Sequence, residues 1–290
     1  ILIPTCDHIR DLETCVESIY ARTTYPDFEI ILIENNSKAP ETFRTYKRMQ
    51  KEHPDNLKVV TWEGKGFNYS ALNNFGEKFA TGEYLLLLNN DTEVITAAWL
   101  EEMVMYAQQK RVGCVGAKLL YPDNTIQHAG IGFGFLTLAA HMHKNFPVGH
   151  PGYMGRLVYA QDVYAVTAAC LMVRKSVYEQ VNGLDESFAV AFNDVDFCLR
   201  VRDKGYRIVW TPYAQLTHYE SKSRGGDEKD PVKAARFAAE QQRLYEVHGK
   251  ANILHDPYYN PNLTMDREDF SESDDLRGLK EGRITVQWRG

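Results

Sequence analysis

An α/β fold organised around a parallel sheet is what this sequence predicts, and three observations carry that reading. Apolar β-type runs alternate with amphipathic helical segments as far as about Leu120, the pattern of repeated βαβ units. The run Tyr84-Leu85-Leu86-Leu87-Leu88 is apolar at successive positions, as a strand buried on both faces requires, and it is too short to cross a membrane. Four strand ends are polar together, and in open α/β sheets ligands collect at the carboxyl ends of the strands.

The strands are expected from Ile1 to Pro4, Phe28 to Glu34, Leu57 to Trp62, Glu83 to Leu88 and Val112 to Leu119. Between them, Leu12, Cys15, Val16, Ile19 and Tyr20 keep a helical spacing, as do Ala71, Leu72, Phe75 and Phe79, so these helices should pack on the sheet. From Tyr121 to Tyr164 the periodicity dissolves into Gly, His, Pro and aromatic residues, including Gly130-Ile131-Gly132-Phe133-Gly134, which predicts loops and short strands forming a substrate wall. Regularity returns from Tyr164 to Val173, then in a helix near Asp194 to Lys204, a strand from Arg207 to Trp210, and a long helix from about Val232 to His248. The charged, weakly patterned tail after Asp266 is expected to be loosely held.

With 290 residues, 44% of them hydrophobic, the chain can bury a substantial core. A formal charge of −6 and the absence of any Lys/Arg run argue against nucleic acid as a partner. Five scattered cysteines with no Cys-x-x-Cys pair suggest neither a disulfide framework nor a zinc knuckle, so a reducing cytosol is the expected setting. No segment approaches the roughly 18 apolar residues of a spanning helix, and no signal peptide opens the sequence. The opening Ile1-Leu2-Ile3-Pro4 lacks Met and reads as cut within or just before a first strand, which is compatible with a longer natural polypeptide.

Asn89-Asn90-Asp91-Thr92 puts a carboxylate where a buried strand emerges, and Asp91 with the Asn89 carbonyl offers the hard oxygen donors that Mg²⁺ or Mn²⁺ prefers. Taken alone, a turn in which Asp91 or Thr92 caps a helix starting near Ala97 is the better explanation. Glu34-Asn35-Asn36-Ser37, Pro4-Thr5 with Asp7, and Gly64-Lys65-Gly66-Phe67-Asn68-Tyr69 follow their strands in the same way, suited to a base, a ribose or a phosphate. No Gly-x-Gly-x-x-Gly or Gly-Lys-[Ser/Thr] pattern is present, which sets aside dinucleotide folds and P-loop enzymes. His141-x-His143 with His128 raises a second metal hypothesis, although no carboxylate or Cys completes the set. Trp210, Tyr213 and Tyr219 could stack on sugar rings, though aromatics beside a strand are usually core.

Ile3-Pro4-Thr5, Glu34-Asn35-Asn36-Ser37, Asn89-Asn90-Asp91, Val166-Thr167-Ala168-Ala169-Cys170 and Asn193-Asp194-Val195-Asp196-Phe197-Cys198-Leu199-Arg200 resemble, in that order, the motifs of family 2 glycosyltransferases. The resemblance is nearest to the rhamnosyltransferase-like bacterial branch and covers roughly residues 1 to 250. It implies a GT-A fold, an α/β Rossmann-like mixed sheet flanked by helices. It further implies a nucleoside-diphosphate-sugar donor, a divalent metal (Mn²⁺ or Mg²⁺) and inversion at the anomeric centre. One domain over residues 1–265 is expected, nucleotide-binding to about 120 and acceptor-binding beyond, followed by the tail 266–290.

Matched position by position, Asp91 is the retained metal carboxylate of an Asp-x-Asp motif, with Asn89 in place of the first Asp and His218 as a late histidine that joins the metal. Imidazole suits Mn²⁺ better than Mg²⁺. The donor would be held by Pro4, Thr5, Asp7, Glu34, Asn35, Asn68, Asn89, Asn90 and Arg224, the last in a basic stretch with Lys222 and Ser223. The acceptor would meet Ala168, Ala169 and Asn193, and Asp194 would be the base, with Asn193 standing where Glu is usual. The implied acceptor is a hydroxyl of a glycan or lipid-linked glycan, with peripheral membrane association an implication of the family alone. A catalytically impaired glycan- or nucleotide-sugar-binding module is the alternative that Asn89 and Asn193 support, and a sugar nucleotidyltransferase is disfavoured by the missing Gly-rich basic loop after Pro4.

Overall fold

A computed structural model describes residues 1–135, 138–219, 230–260 and 262–272 of the chain. The main sheet holds ten strands in the path β10-β12-β6-β11-β4-β1-β2-β3, with β5 added on β12 and β7 on β6. In chain order these are β1 (Leu2–Thr5), β2 (Ile30–Glu34), β3 (Leu57–Thr61), β4 (Tyr84–Leu88), β5 (Thr92–Val94), β6 (Val112–Leu120), β7 (Ile126–His128), β10 (Gln161–Val163), β11 (Cys170–Arg174) and β12 (Arg207–His218). A separate hairpin pairs β8 (Ile131–Phe133) with β9 (Ala139–His141).

The helices are α1 (Ile9–Arg22), α2 (Pro40–Glu52), α3 (Tyr69–Glu77), α4 (Trp99–Ala107), α5 (Lys175–Gln180), α6 (Asn193–Asp203), α7 (Pro231–His248) and α8 (Lys250–Ile253). On one face of the sheet, Leu12, Val16 and Ile19 of α1, Tyr46 and Met49 of α2, and Trp99 and Met103 of α4 cover Ile30, Leu32, Leu86 and Leu88. On the other, Leu72 of α3 and Phe197, Leu199 and Val201 of α6 cover Ile31, Ile33, Leu85 and Leu87. Alternate residues of β2 and β4 thus point into different cores, which is why both strands read as unbroken apolar runs.

Four readings from the sequence pattern are corrected. The sheet is parallel across β3, β2, β1 and β4 and again between β6 and β12; β11 lies between β4 and β6, antiparallel to both, so the sheet is mixed, as the resemblance implied, rather than parallel throughout as the βαβ pattern suggested. The regularity read from Tyr164 becomes a strand only at Cys170, because the Thr167 and Ala168 amides donate to His128 Nε2 and Asp194 Oδ2 instead of to a ladder. Thr92 and Asp91 do not cap a helix at Ala97: Thr92–Val94 forms β5 against the end of β12, and α4 starts at Trp99 with Ala98 at its N-cap and no side-chain cap. The strand expected to end at Trp210 runs on to His218 past an irregularity between Trp210 and Gln215. Its length matters, because it carries His218 to the same sheet edge as the end of β4.

The first part of the tail is packed, with Phe270 only 5% exposed and stacked on His143 at 4.2 Å; residues 273–290 lie outside the described residues. No helix among the described residues is long and apolar enough to cross a membrane.

Candidate active site

A cavity of about 660 Å³ opens at the edge where β1, β2, β4, β6 and β12 end. Its floor is the turn after β4. Asn89 N–H donates to the Ala169 carbonyl at 3.1 Å, Thr92 Oγ1 donates to the Asn89 carbonyl at 2.9 Å, and Tyr219 N–H donates to the Asp91 carbonyl at 2.9 Å. These bonds hold the Asn89-Asn90-Asp91 backbone between β11, β5 and the residue after β12. Asn90 Nδ2 donates to Thr5 Oγ1 at 3.4 Å, joining this turn to the end of β1.

His218 meets the turn from the other side. Its Nε2 lies 3.1 Å from Asp91 Oδ1 and 3.1 Å from Asn89 Nδ2, while Nδ1 lies 2.6 Å from Gln127 Oε1. Asp91 and His218 are both 9% exposed or less. A carboxylate oxygen and an imidazole nitrogen converging this closely at a shielded floor fit a divalent ion that accepts mixed O and N donors, Mn²⁺ more than Mg²⁺. No group of three His, Cys, Asp or Glu side chains able to hold a metal ion occurs among the described residues, so a bound ion would need further ligands from a bound molecule or water. Asn89 turns its amide nitrogen toward His218, so its oxygen is not the atom that faces the ring.

The opposite wall is the start of α6. Asp194 sits in its first turn, after Phe192 in the left-handed conformation (φ 60°), with Oδ2 accepting from Ala168 N–H at 3.1 Å and Oδ1 from Val195 N–H at 2.8 Å. A carboxylate offers about four acceptor positions, so Asp194 keeps capacity for an incoming hydroxyl. Tyr69 grips the same residue from α3, donating from its hydroxyl to the Ala168 carbonyl at 2.8 Å. Burial first, and the Asp194 charge second, push the Tyr69 phenol up, so it remains a donor. Asn193 is turned away from that pair and donates to the Val190 carbonyl at 3.0 Å.

Of the positions expected from sequence, Pro4, Thr5, Asn35, Asn89, Asn90, Asp91, Ala168, Ala169, Asn193, Asp194 and His218 line this cavity together. Three others do not line it, because folding uses their side chains. Glu34, 2% exposed, accepts from Ser37 N–H and Oγ at 2.5 and 2.6 Å and from the Tyr46 hydroxyl at 2.7 Å. Asp7 accepts from the Ala39 and Lys38 amides and from Thr42 Oγ1 at 2.9 Å, capping α2 from outside its own sequence. Asn68 caps α3, accepting from Ala71 N–H at 3.0 Å and donating to the Glu186 carbonyl at 2.8 Å. Arg224, with Lys222 and Ser223, lies outside the described residues.

The histidines divide differently from the expected His141-x-His143 pair. His128 and His141 meet through their Nδ1 atoms at 2.8 Å, and His141 reaches the cavity, whereas His143 turns away to accept from Tyr153 N–H at 3.1 Å. None of Trp210, Tyr213 and Tyr219 lines the cavity; Trp210 is fully buried and Tyr219 donates to Glu93 Oε2 at 2.6 Å. Gln127 and Arg236 of α7 line the cavity without having been singled out from sequence. Tyr69 lines it too and closes the 64–69 segment read as suited to a ligand, but Gln127 and Arg236 carry no local signal.

Comparison with known proteins agrees with this geometry. Residues 1–181 match the family described as Glycosyl transferase family 2. The uncharacterized protein y4gI of Sinorhizobium fredii is 47% identical over 274 residues, covering 93% of this chain and 29% of that protein. The O-antigen biosynthesis protein RfbC of Myxococcus xanthus is 39% identical over 270 residues, again 93% of this chain but 20% of the relative. The chain therefore spans less than a third of the length of these relatives. The crystal structure of GalNAc-T7 with UDP, GalNAc and Mn²⁺ superposes with a TM-score of 0.67 at 15% identity, over 85% of this chain and 47% of that one. Since the family match spans well over half of the sequence and the sheet follows the same architecture, this chain belongs to glycosyl transferase family 2 and has a GT-A fold.

Proposed function

We propose that the chain transfers a sugar, of hexosyl or rhamnosyl type, from a nucleoside diphosphate to a hydroxyl of a glycan or lipid-linked glycan, with inversion, in bacterial cell-surface polysaccharide synthesis. The observation that carries this reading is one cavity bounded by Asp194 on one side and by the Asp91–His218 pair on the other. Asp194 accepts the proton of the acceptor hydroxyl as that oxygen bonds to the anomeric carbon. The bond from that carbon to the diphosphate oxygen breaks on the opposite face, so configuration inverts. Ala168 N–H holds Asp194 Oδ2 in place, leaving the carboxylate free to turn its remaining lone pairs toward the acceptor. Asp91 and His218 would hold Mn²⁺ or Mg²⁺, which when bound offsets the charge building on the diphosphate. Thr5, Asn35 and Asn90 supply neutral polar contacts on the donor side, within a nucleotide-binding half to about residue 120, and residues 121–265 supply the acceptor side. The setting we propose is the cytoplasmic face of the membrane, where such acceptors are assembled.

Calorimetric titration with UDP, GDP and dTDP, with and without Mn²⁺, tests the donor site. One nucleotide is expected to bind in a Mn²⁺-dependent manner and to lose that binding in Asp91→Ala. Asp194→Asn is expected to bind it unchanged while transfer falls by about 10² to 10⁴. Failure to bind any nucleotide under any condition would overturn the reading, and full transfer by Asp194→Asn would remove its base.

A further inference from the structure

Gln127, at the centre of β7 and 4% exposed, makes two contacts with one residue. Its Nε2 donates to the main-chain carbonyl of His218 at 3.3 Å, and its Oε1 stands 2.6 Å from the Nδ1 of the same residue. A carbonyl only accepts hydrogen bonds, so the amide nitrogen has to face it; the reverse orientation would set two oxygens against each other. That fixes Oε1 toward the ring, and a 2.6 Å contact with an acceptor requires the proton on Nδ1. With Nδ1 facing Gln127, Nε2 is the nitrogen left to face a cation; it lies 3.1 Å from the Asn89 amide nitrogen, which can only donate to it, and 3.1 Å from Asp91 Oδ1.

We propose that Gln127 is the positioning residue that sets the orientation and tautomer of His218, so that a divalent cation is met by Nε2 beside Asp91. This rests on the metal role assigned to Asp91 and His218 above. The outer hydrogen bond of a metal-binding histidine typically governs affinity by about 10- to 100-fold. Here it is supplied from the segment between residues 121 and 164, so a stretch without periodicity of its own governs part of the metal site. The Asn89 amide nitrogen, which donates to the same Nε2, is the group a cation would displace.

The experiment is a Mn²⁺ titration followed by electron paramagnetic resonance, with pulsed detection of the coordinated imidazole nitrogen. It uses the whole chain as wild type, His218→Ala, Gln127→Met and Gln127→Glu. Wild type is expected to show the imidazole coupling and His218→Ala to lose it. Gln127→Met keeps the side-chain volume but offers no acceptor for Nδ1–H; it should bind Mn²⁺ about 10- to 100-fold more weakly with the coupling reduced or absent. Gln127→Glu restores an acceptor and should restore the coupling. If Gln127→Met matches wild type in affinity and coupling, the proposal is overturned while the metal reading stands. Absence of Mn²⁺ binding or imidazole coupling in wild type would sink the metal reading and this proposal together. Should Gln127→Met not fold, ¹⁵N NMR of the metal-free wild type decides: His218 must carry its proton on Nδ1, and a proton on Nε2 alone overturns the proposal.

Discussion

The floor of the cavity and its acceptor-side wall are built by different physics. On the floor, the ends of β1, β2 and β4 are held by parallel ladders whose register runs Leu2↔Ile31 through Thr5↔Glu34, with both faces buried. Residues 121–164 have short strands and several residues in the left-handed region, among them Asn124, His143, Asn145 and Met154. They are tied by individual side chains, such as His143 between Tyr153 and Phe270 and the carboxylate of Asp256, which accepts from Phe133 N–H at 3.1 Å. A ladder distributes its stability over many residues, whereas a wall tied by single contacts can loosen one piece at a time.

The largest effect should come from the floor. Trp99, fully buried where α4 meets the sheet, donates from its indole N–H to Thr23 Oγ1 at 2.9 Å. Trp99→Ala should cost about 3 to 5 kcal/mol and lower the melting temperature equally by every probe. Phe270→Ala removes the ring that stacks on His143 and should cost roughly 3 kcal/mol. Hydrogen exchange should accelerate mainly across residues 143–157 while β1, β2 and β4 stay protected; a uniform rise throughout would break the comparison.

Tyr69→Phe leaves the Ala168 carbonyl without that donor and should cost about 1 to 2 kcal/mol. Because Ala168 N–H also holds Asp194, its transfer rate should fall further than its nucleotide affinity, as seen from kcat and from a binding titration on the same variant.

The smallest effect is one of pH. Burial, then the charges of Arg156 and His150, hold His143 down at about 3, and burial followed by His141 and His218 lowers His128 as well. Between that value and the ordinary histidine value of about 6.5, the unfolded chain binds protons that the folded chain does not. Stability therefore rises with pH; the contribution is complete above about 6.5 and is lost as pH falls toward 3. At pH 6 the loss from His143 should be below about 1 kcal/mol. His143→Gln, which retains an acceptor for Tyr153 N–H, should flatten the melting-temperature profile between pH 7.5 and 5; an unchanged profile would shift the burden to His128.

The same contrast explains what could be read in advance. β1, β2, β4 and β6 were legible because a strand covered on both faces announces itself within four to nine residues. The insertion of β11 between β4 and β6 was not, since pairing Cys170 with Leu88 depends on contacts made 82 residues apart. Among polar residues at strand ends, the sequence separates position from purpose poorly. Asp91 and Asn35 face the cavity, whereas Glu34 and Asp7 turn back to build the loop that carries Asn35. Gln127 lies in the region without periodicity, and its role exists only through a residue 91 positions away.

The pairing of His218 with Thr92 has a consequence for biosynthesis. A ribosome delivers Asp91 well before its imidazole neighbour, by about 6 to 25 seconds at ~5 to 20 residues per second. Until β12 arrives, the nascent chain has the parallel strands and Asp91 but neither His218 nor Asp194 in place. The cavity floor therefore gains its histidine only once residues 207–218 have been made, whatever part of the sheet has formed before them.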